Sequence, residues 1–256
     1  MTRRSNMPVT PPELSFMDVG SRRIAYRLRD GRSPTLVFFP GYASDMEGAK
    51  ALALNGFAER RGLSMLRFDY SGTGSSGGSF EEGTLERWLD ESLAVIDQLT
   101  NGPLLLVGSS MGGWIALHVA CRRGERVQAL VGIAAAPDFT DWGFSARRKA
   151  ELQASGRIET PNPYAPEPQV FTRDFWESGQ RLRLLESEIA ISCPVRLVHG
   201  ELDPDVPYDV SLCTMRTLHS ADVQLLIVKG GGHRLSEAHE IEAILGTVAG
   251  LLEPSP

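Results

Sequence analysis

The chain has 256 residues with a net charge of −6, and 42% of its residues are hydrophobic and 23% charged. This balance fits a globular domain with a substantial core, and the lack of basic excess argues against a nucleic-acid partner. Three widely separated cysteines form neither a disulfide framework nor a CxxC metal pair, so we expect a reducing, cytoplasmic location. Apolar runs stay far below the roughly 20 residues that cross a bilayer, so we expect no transmembrane segment.

Residues 1–14 (MTRRSNMPVTPPEL) are predicted to be a flexible terminus. They hold two arginines but no apolar segment behind them, which argues against a secretory signal. Acidic residues are absent before Glu13, so the segment is also compatible with a short organelle-targeting sequence.

Short apolar runs of strand length recur along the rest of the chain. The first, at 22–28 (RRIAYRL), alternates between polar and apolar residues, as does a strand with one solvated face. The later runs are apolar on both faces, as in parallel sheets that are covered on both sides. They lie at 35–39 (TLVFF), 64–70 (SMLRFDY), 104–107 (LLLV), 127–135 (VQALVGIAA), 195–199 (VRLVH) and 223–228 (VQLLIV).

Helical patterns separate these runs. Apolar residues recur at three- and four-residue spacings over 85–99, with Thr84 as the predicted N-cap, and again after Ser236. Strands that alternate with helices predict a doubly wound, mostly parallel α/β sheet within one domain, residues 15–256.

Residues 138–191 interrupt this alternation. They show no strand pattern, but they contain helical pieces, an aromatic cluster (Phe171, Phe175 and Trp176) and the proline-rich stretch PNPYAPEP. An excursion of this length is usually functional or a small subdomain. We therefore predict a helical cap inserted after the sixth strand, whose aromatic residues bind an apolar part of a substrate.

The most informative motif is G-S-S-M-G at 108–112, which has the form G-x-S-x-G between a strand and a helix. A sharp strand-to-helix turn exposes the central serine, and small residues two positions away let the strand and helix approach closely. Ser110 is therefore the predicted nucleophile. The structural alternative is a turn or N-cap serine.

A nucleophilic serine needs a base, and the chain contains five histidines. His118 lies on the same predicted helix as the serine, His199 ends a strand, and His219 and His239 lie on predicted helices. His233 instead follows the final strand on a glycine-rich loop, at the edge where open α/β sheets bind ligands. We expect His233 to be the base.

The acid is expected between the serine and the histidine, on a loop after a strand. The stretch GELDPDVP offers Glu201, Asp203 and Asp205. Asp203 is preferred because it lies four residues past the strand and precedes a proline that stiffens the turn, with Asp205 as the alternative. The order serine, aspartate, histidine is the order of the α/β-hydrolase arrangement.

An oxyanion hole in this arrangement uses two backbone N–H groups. One belongs to the residue after the nucleophile, Met111. The other comes from the loop after TLVFF, where we expect Tyr42 to donate it. This chemistry needs neither a metal nor an organic cofactor.

These motifs resemble the α/β-hydrolase superfamily. The stretches FFPGYASDMEGAKALAL, VGSSMGGW and CPVRLVHGELDPDVP are similar to those of its mitochondrial palmitoyl-protein thioesterases, also described as acyl-glucuronide esterases. The resemblance runs from about residue 34 to the C-terminus and is weakest in the cap. It implies the same nucleophile, acid and base, and as substrates thioesters and activated acyl esters, either small molecules or S-acylated proteins. Members of the superfamily commonly have His-Gly in the loop of the oxyanion hole, and this chain has Pro40-Gly41 at that place.

Three other functions remain open on the sequence. A general carboxylesterase and a proline-type serine peptidase would use the same residues on the same fold. A catalytically silent binding module is the third, because a fold alone does not fix a function.

Overall fold

The computed structural model describes residues 12–252 as one large sheet with helices on both faces. The strands in the described part of the chain are β1 Ser15–Val19, β2 Arg22–Arg29, β3 Arg32–Phe39, β4 Leu63–Phe68, β5 Leu104–Ser109, β6 Val127–Ile133, β7 Arg157–Thr160, β8 Gln169–Thr172, β9 Val195–Gly200 and β10 Val223–Val228. The helices are α1 Ala49–Arg61, α2 Leu85–Leu99, α3 Met111–Arg122, α4 Phe139–Trp142, α5 Ala146–Ser155, α6 Arg173–Arg181, α7 Tyr208–Thr217 and α8 Ala238–Leu252.

The large sheet has eight strands in the order β1-β2-β4-β3-β5-β6-β9-β10. β2 pairs antiparallel with both of its neighbours, and the other pairings are parallel. The carboxyl ends of β3, β5, β6, β9 and β10 therefore meet at one edge of the sheet, which is where open α/β sheets bind ligands. The prediction of a doubly wound α/β fold is confirmed.

Two apolar layers cover the two faces of this sheet. Along β3, Leu36 and Phe38 face the layer that includes α1 and α8, whereas Val37 and Phe39 face the layer that includes α2, α3 and α6. All four side chains are at most 3% exposed. Burial on both faces explains why the central strands are continuous apolar runs in the sequence.

The helices expected from apolar spacing are present. α2 begins after Thr84, whose side chain accepts a hydrogen bond from the N–H of Arg87 at 3.1 Å. Such a cap satisfies one of the N–H groups that a helix leaves unpaired at its start. α8 occupies the helical pattern predicted after Ser236.

Two strand features were not predicted. β1 pairs with β2 across a two-residue turn at Gly20 and Ser21, a position where Gly20 has φ 62°. The excursion from 138 to 191 contains the antiparallel pair β7 and β8, so the expectation that it lacks strands is wrong. The predicted flexible segment, residues 1–14, falls mostly outside the described residues.

The aromatic cluster of the excursion splits between core and cavity. Phe175 is 1% exposed and packs on Trp88, and the Trp176 indole N–H donates to the Thr140 carbonyl at 2.9 Å. Phe171 stacks on Tyr42 with the ring centroids 4.8 Å apart, and of the three aromatic residues it alone lines the cavity beside Ser110. The prediction that all three aromatic residues face a substrate is therefore wrong for Phe175 and Trp176, which hold α6 against the body of the protein.

Candidate active site

Ser110 lies on the sharp turn between β5 and α3, with φ 54° and ψ −122°. A positive φ is strained for a residue with a side chain, so neighbouring contacts must hold it there. The Ser110 N–H donates to the Ile133 carbonyl at 2.9 Å, and the Ser110 carbonyl accepts from the Ala136 N–H at 3.1 Å. The end of β6 thus fixes the backbone on both sides of the serine.

The glycines on either side of this turn are required by space. A Cβ at Gly108 would lie 2.6 Å from the carbonyl carbon of Gly112, and a Cβ at Gly112 would lie 2.6 Å from the carbonyl carbon of Phe39. Real Cβ atoms essentially never approach within 3.0 Å of another heavy atom. The motif spacing therefore has a direct steric cause, since α3 begins in contact with the ends of β3 and β5.

The structure brings Ser110, His233 and Asp203 into one hydrogen-bonded line. His233 Nδ1 lies 2.8 Å from Asp203 Oδ2, and His233 Nε2 lies 3.1 Å from Ser110 Oγ. A carboxylate only accepts hydrogen bonds, so Nδ1 carries the proton and Nε2 is free to accept from the serine hydroxyl. The three residues come from the loops after β5, β9 and β10, which meet at the carboxyl edge of the sheet.

The Asp203 carboxylate is buried and surrounded by donors. Its side chain is 1% exposed, and Oδ1 accepts from the N–H groups of Asp205 and Val206, both at 2.9 Å. Burial alone would raise the pKa of Asp203, but hydrogen bonds from His199, His233 and the Val206 N–H outweigh it and hold that pKa well below its ordinary value. Asp203 is therefore ionised at neutral pH.

Asp205, the alternative acid, has a different partner. It is exposed, and its Oδ2 accepts a hydrogen bond from the Tyr164 hydroxyl at 2.5 Å. The Arg234 guanidinium lies 5.3 Å from the centre of the Tyr164 ring. These contacts connect the proline-rich stretch of the excursion to the loops that carry Asp203 and His233.

The other histidines lie away from the serine hydroxyl. His118 is 5% exposed, its Nε2 lies 2.8 Å from the Leu182 carbonyl, and burial lowers its pKa to about 4. His219 is exposed and lies 3.2 Å from Glu188, and His239 is exposed on α8. His199 is fully buried beneath the loop that carries Asp203.

The two predicted oxyanion donors belong to segments that run next to the nucleophile. Met111 is the first residue of α3, so its N–H has no partner within the helix. A Cβ at Gly41 would lie 3.4 Å from the Ser110 Cβ, so the chain leading to Tyr42 passes beside the serine. The Tyr42 hydroxyl donates to the Val170 carbonyl at 2.5 Å, which anchors this loop to β8.

Asp69, directly after β4, also holds the loop that contains Tyr42 and Met46. One carboxylate oxygen accepts from the Met46 N–H and the other from the Ser75 N–H, both at 2.7 Å. Burial raises the pKa of this carboxyl, and the two backbone donors oppose that rise. Asp69 thus ties the oxyanion loop to the glycine-rich stretch 71–78.

A cavity of about 620 Å³ opens onto the serine and the histidine. The residues that line it are partly aromatic and partly polar. The aromatic wall includes Phe139, Trp142, Phe144 and Phe171. This volume lies within the range of small-molecule sites, and the aromatic wall offers apolar contact to an acyl chain.

One trio of side chains has a spacing that a metal ion could bridge. Ligand atoms of Asp203, Asp205 and His233 lie within 4.8 Å of one another. Each residue already has a protein partner, since Asp203 and His233 bond to each other and Asp205 accepts from Tyr164. Independence from metals and cofactors stays a prediction.

Sequence reasoning missed the donors that hold the acid. An Asx turn, in which Asp203 accepts from the N–H groups two and three residues on, is a signal that D-P-D-V contains. The contact of His199 with the same loop has no local signal, because it depends on the packing of β9 against α7.

Comparison with known proteins identifies the class. The model of the alpha/beta hydrolase family matches residues 36–245, and the chain belongs to this family. The human protein named mitochondrial palmitoyl-protein thioesterase ABHD10 is 39% identical over 234 residues, which is 90% of this chain and 76% of the relative.

Solved structures agree with this assignment. Mouse alpha/beta hydrolase domain-containing protein 10 has a TM-score of 0.88 and 36% identity, over 94% of this chain and 98% of that chain. A putative hydrolase from Agrobacterium vitis S4 has a TM-score of 0.90 and 40% identity, over 95% and 100% of the two chains.

Two findings bear on location. Within residues 12–252, no helix combines the length and the apolar character that crossing a membrane requires. The human relative is named mitochondrial, whereas the cytoplasmic location expected above rests only on the cysteines. The cytoplasmic location stays a prediction.

Proposed function

We propose that the protein is a serine hydrolase that cleaves acyl thioesters and activated acyl esters through an acyl-enzyme on Ser110. The observation that carries the proposal is the line from Ser110 Oγ through His233 to Asp203, with distances of 3.1 and 2.8 Å. A hydroxyl becomes a strong nucleophile only when an oriented base accepts its proton, and this line supplies both the base and its orientation.

The mechanism proceeds in two acyl transfers. His233 Nε2 accepts the Ser110 proton as Oγ attacks the acyl carbonyl carbon, and the same proton then passes to the departing thiol or alcohol. Water, deprotonated by His233, attacks the acyl-enzyme, and the proton returns to Ser110 as the carboxylic acid leaves. Asp203 keeps the imidazole in the required tautomer and stabilises its charged form.

The N–H groups of Met111 and Tyr42 stabilise the oxyanion that forms in both steps. Each such donor acts on charge that develops in the transition state, and losing one costs about 10²–10³ in kcat in comparable sites. The anchoring of Tyr42 by Val170 and of Met46 by Asp69 supports this assignment, because both contacts fix the loop beside Ser110.

Two observations favour acyl thioesters as the substrate class. The human relative, 39% identical over most of this chain, carries the name palmitoyl-protein thioesterase. The aromatic wall of the cavity provides apolar surface beside the serine, where the acyl chain of a thioester would lie. A small acyl ester or an S-acylated protein or peptide would present the same acyl group.

Steady-state rates on three substrates test this proposal. An S-acyl cysteine peptide, a p-nitrophenyl ester and an aminoacyl amide represent a thioesterase, a general carboxylesterase and a peptidase. We expect kcat/KM to be highest for the thioester and the activated ester, and to be abolished in Ser110→Ala. A higher kcat/KM for the amide would favour the peptidase, and no turnover of any substrate would favour a silent binding module.

A series of thioesters with increasing acyl length extends this test to the cavity. We expect kcat/KM to rise with chain length until the apolar wall is filled and then to level off or fall. A kcat/KM that is independent of chain length would place the acyl chain outside this cavity.

A further inference from the structure

A second histidine lies against the acid of the site. His199, near the end of β9, is fully buried. Its Nε2 lies 2.8 Å from the Val206 carbonyl oxygen and 3.3 Å from Asp203 Oδ2, the same oxygen that His233 contacts. Its Nδ1 lies 2.7 Å from the Ser211 hydroxyl on α7.

The tautomer of His199 follows from its partners. The Val206 carbonyl only accepts hydrogen bonds, so Nε2 carries the proton, and Nδ1 accepts from the Ser211 hydroxyl. The protonated edge of the ring therefore faces the loop that carries Asp203. Val206 in turn donates its N–H to Asp203 Oδ1 at 2.9 Å.

We propose that His199 is a positioning residue that acts through Asp203. It holds the loop by its hydrogen bond to Val206, and it shares the charge on Asp203 Oδ2 with His233. This inference rests on the proposed function, because it assigns His199 a role in tuning the base of that reaction. His199 contacts neither Ser110 nor the substrate cavity, so it is not itself catalytic.

The shared oxygen has a consequence for acid–base chemistry. A donor that approaches Asp203 Oδ2 leaves less negative charge to stabilise the protonated form of His233. Since His233 must be neutral to accept the serine proton, His199 extends the activity toward lower pH. Asp205 is the ionisable group beside this pair, and its carboxylate accepts from the Tyr164 hydroxyl. Arg234, next to His233 in the chain, contacts the Tyr164 ring and accepts at its carbonyl from Lys50 of α1.

Two amide substitutions separate positioning from simple structural support. In His199→Asn the amide occupies the place of Nδ1 beside Ser211 and cannot reach the loop. In His199→Gln the amide N–H reaches the place of Nε2 and can donate to Val206. If His199→Asn does not fold, His199→Phe, which removes the same donor and keeps the volume of the ring, replaces it.

The experiment is the pH profile of kcat/KM on a thioester substrate, with folding checked by circular dichroism. We expect the acid limb of His199→Asn to move to higher pH by about 0.5–1 unit, because the shared carboxylate loses its 3.3 Å contact with the His199 N–H. His199→Gln is expected to restore the wild-type limb. His118→Gln, a change at another buried histidine, is expected to leave the limb in place.

A loss of kcat/KM that is equal at every pH in His199→Asn, or a limb that stays in place, would overturn the positioning role. Ser110→Ala distinguishes the two proposals. If Ser110→Ala abolishes turnover and His199→Asn leaves the limb unchanged, the inference on His199 fails while the proposed function stands. Full turnover in Ser110→Ala would remove the proposed function and the inference with it.

Discussion

Replacing Gly112 by alanine tests the steric origin of the serine turn. The added Cβ would lie 2.6 Å from the carbonyl carbon of Phe39 and still closer to the Phe39 and Pro40 oxygens. Backbone atoms cannot rotate away as a side chain can, so α3 or the end of β3 must move. Forcing an additional carbon into a packed site costs about 1–3 kcal/mol, which would lower the Tm of a chain of this size by about 2–12 °C.

The same displacement acts on catalysis, because the backbone that moves leads directly to Tyr42 and its oxyanion N–H. We expect kcat to fall by at least about tenfold, and by as much as 10²–10³ where this donor is lost completely. Differential scanning calorimetry gives the Tm, and thioester hydrolysis under saturating substrate gives kcat.

Gly246→Ala is the matched control. Gly246 lies within α8, and a Cβ there meets no atom within 4 Å. Alanine replaces glycine in a helix interior with a gain of about 0.5–1 kcal/mol, so we expect a higher Tm and an unchanged kcat. If Gly112→Ala kept the wild-type Tm and kcat, the argument that glycine spacing shapes the turn would be refuted.

Further predictions concern an acid, a buried histidine and a loop anchor. Asp203→Asn should keep the fold but lower kcat on the order of 10⁴-fold, because an amide does not hold the required tautomer of His233; a loss below tenfold would contradict its role. Burial lowers the pKa of His118 from 6.5 to about 4, so the free energy of unfolding should be highest above pH 6.5 and fall as the pH drops toward 4. The His118 contribution to this decrease is about 3 kcal/mol. Urea denaturation between pH 6.5 and 4 should therefore show a smaller decrease in the free energy of unfolding for His118→Gln than for the wild type. Asp69→Asn puts an amide N–H against the backbone N–H of Met46 or Ser75, so urea denaturation should give a free energy of unfolding about 1–3 kcal/mol lower.

The central strands could be predicted because each is buried on both faces. A strand such as β3, whose last four residues are buried on both faces of the sheet, needs apolar residues at successive positions, and this run is visible in the sequence. The relative positions of Ser110, Asp203 and His233 followed from the same reasoning, since parallel strands place their carboxyl ends at one edge.

The strands that were missed are short. Their stability depends on a contact with a distant part of the sequence or on a two-residue turn. β7 and β8 have four residues each, and they are stabilised by pairing with each other and by the stacking of Phe171 on Tyr42. β1 is only half-buried, and its local signal is the two-residue turn beginning at Gly20, a hairpin pattern that a search for apolar runs overlooks.

The division of the aromatic residues in the excursion also required the structure. Phe171 and Phe175 are four residues apart, but Phe171 ends on a strand beside the cavity and Phe175 on a helix facing Trp88. The change from strand to helix between them turns their side chains in different directions. Composition alone cannot show such a change.

The proposed reaction depends most directly on the nucleophile. A fluorophosphonate probe, which reacts with activated serine hydroxyls, should label the wild-type protein, and digestion followed by mass spectrometry should locate the label on the peptide with Ser110. The neighbouring residue supplies the control, because Ser109→Ala retains the nucleophile and should still be labelled at position 110, whereas Ser110→Ala should not be labelled. A wild-type protein that does not react, or a label that persists in Ser110→Ala, would contradict the assignment of Ser110 as the nucleophile.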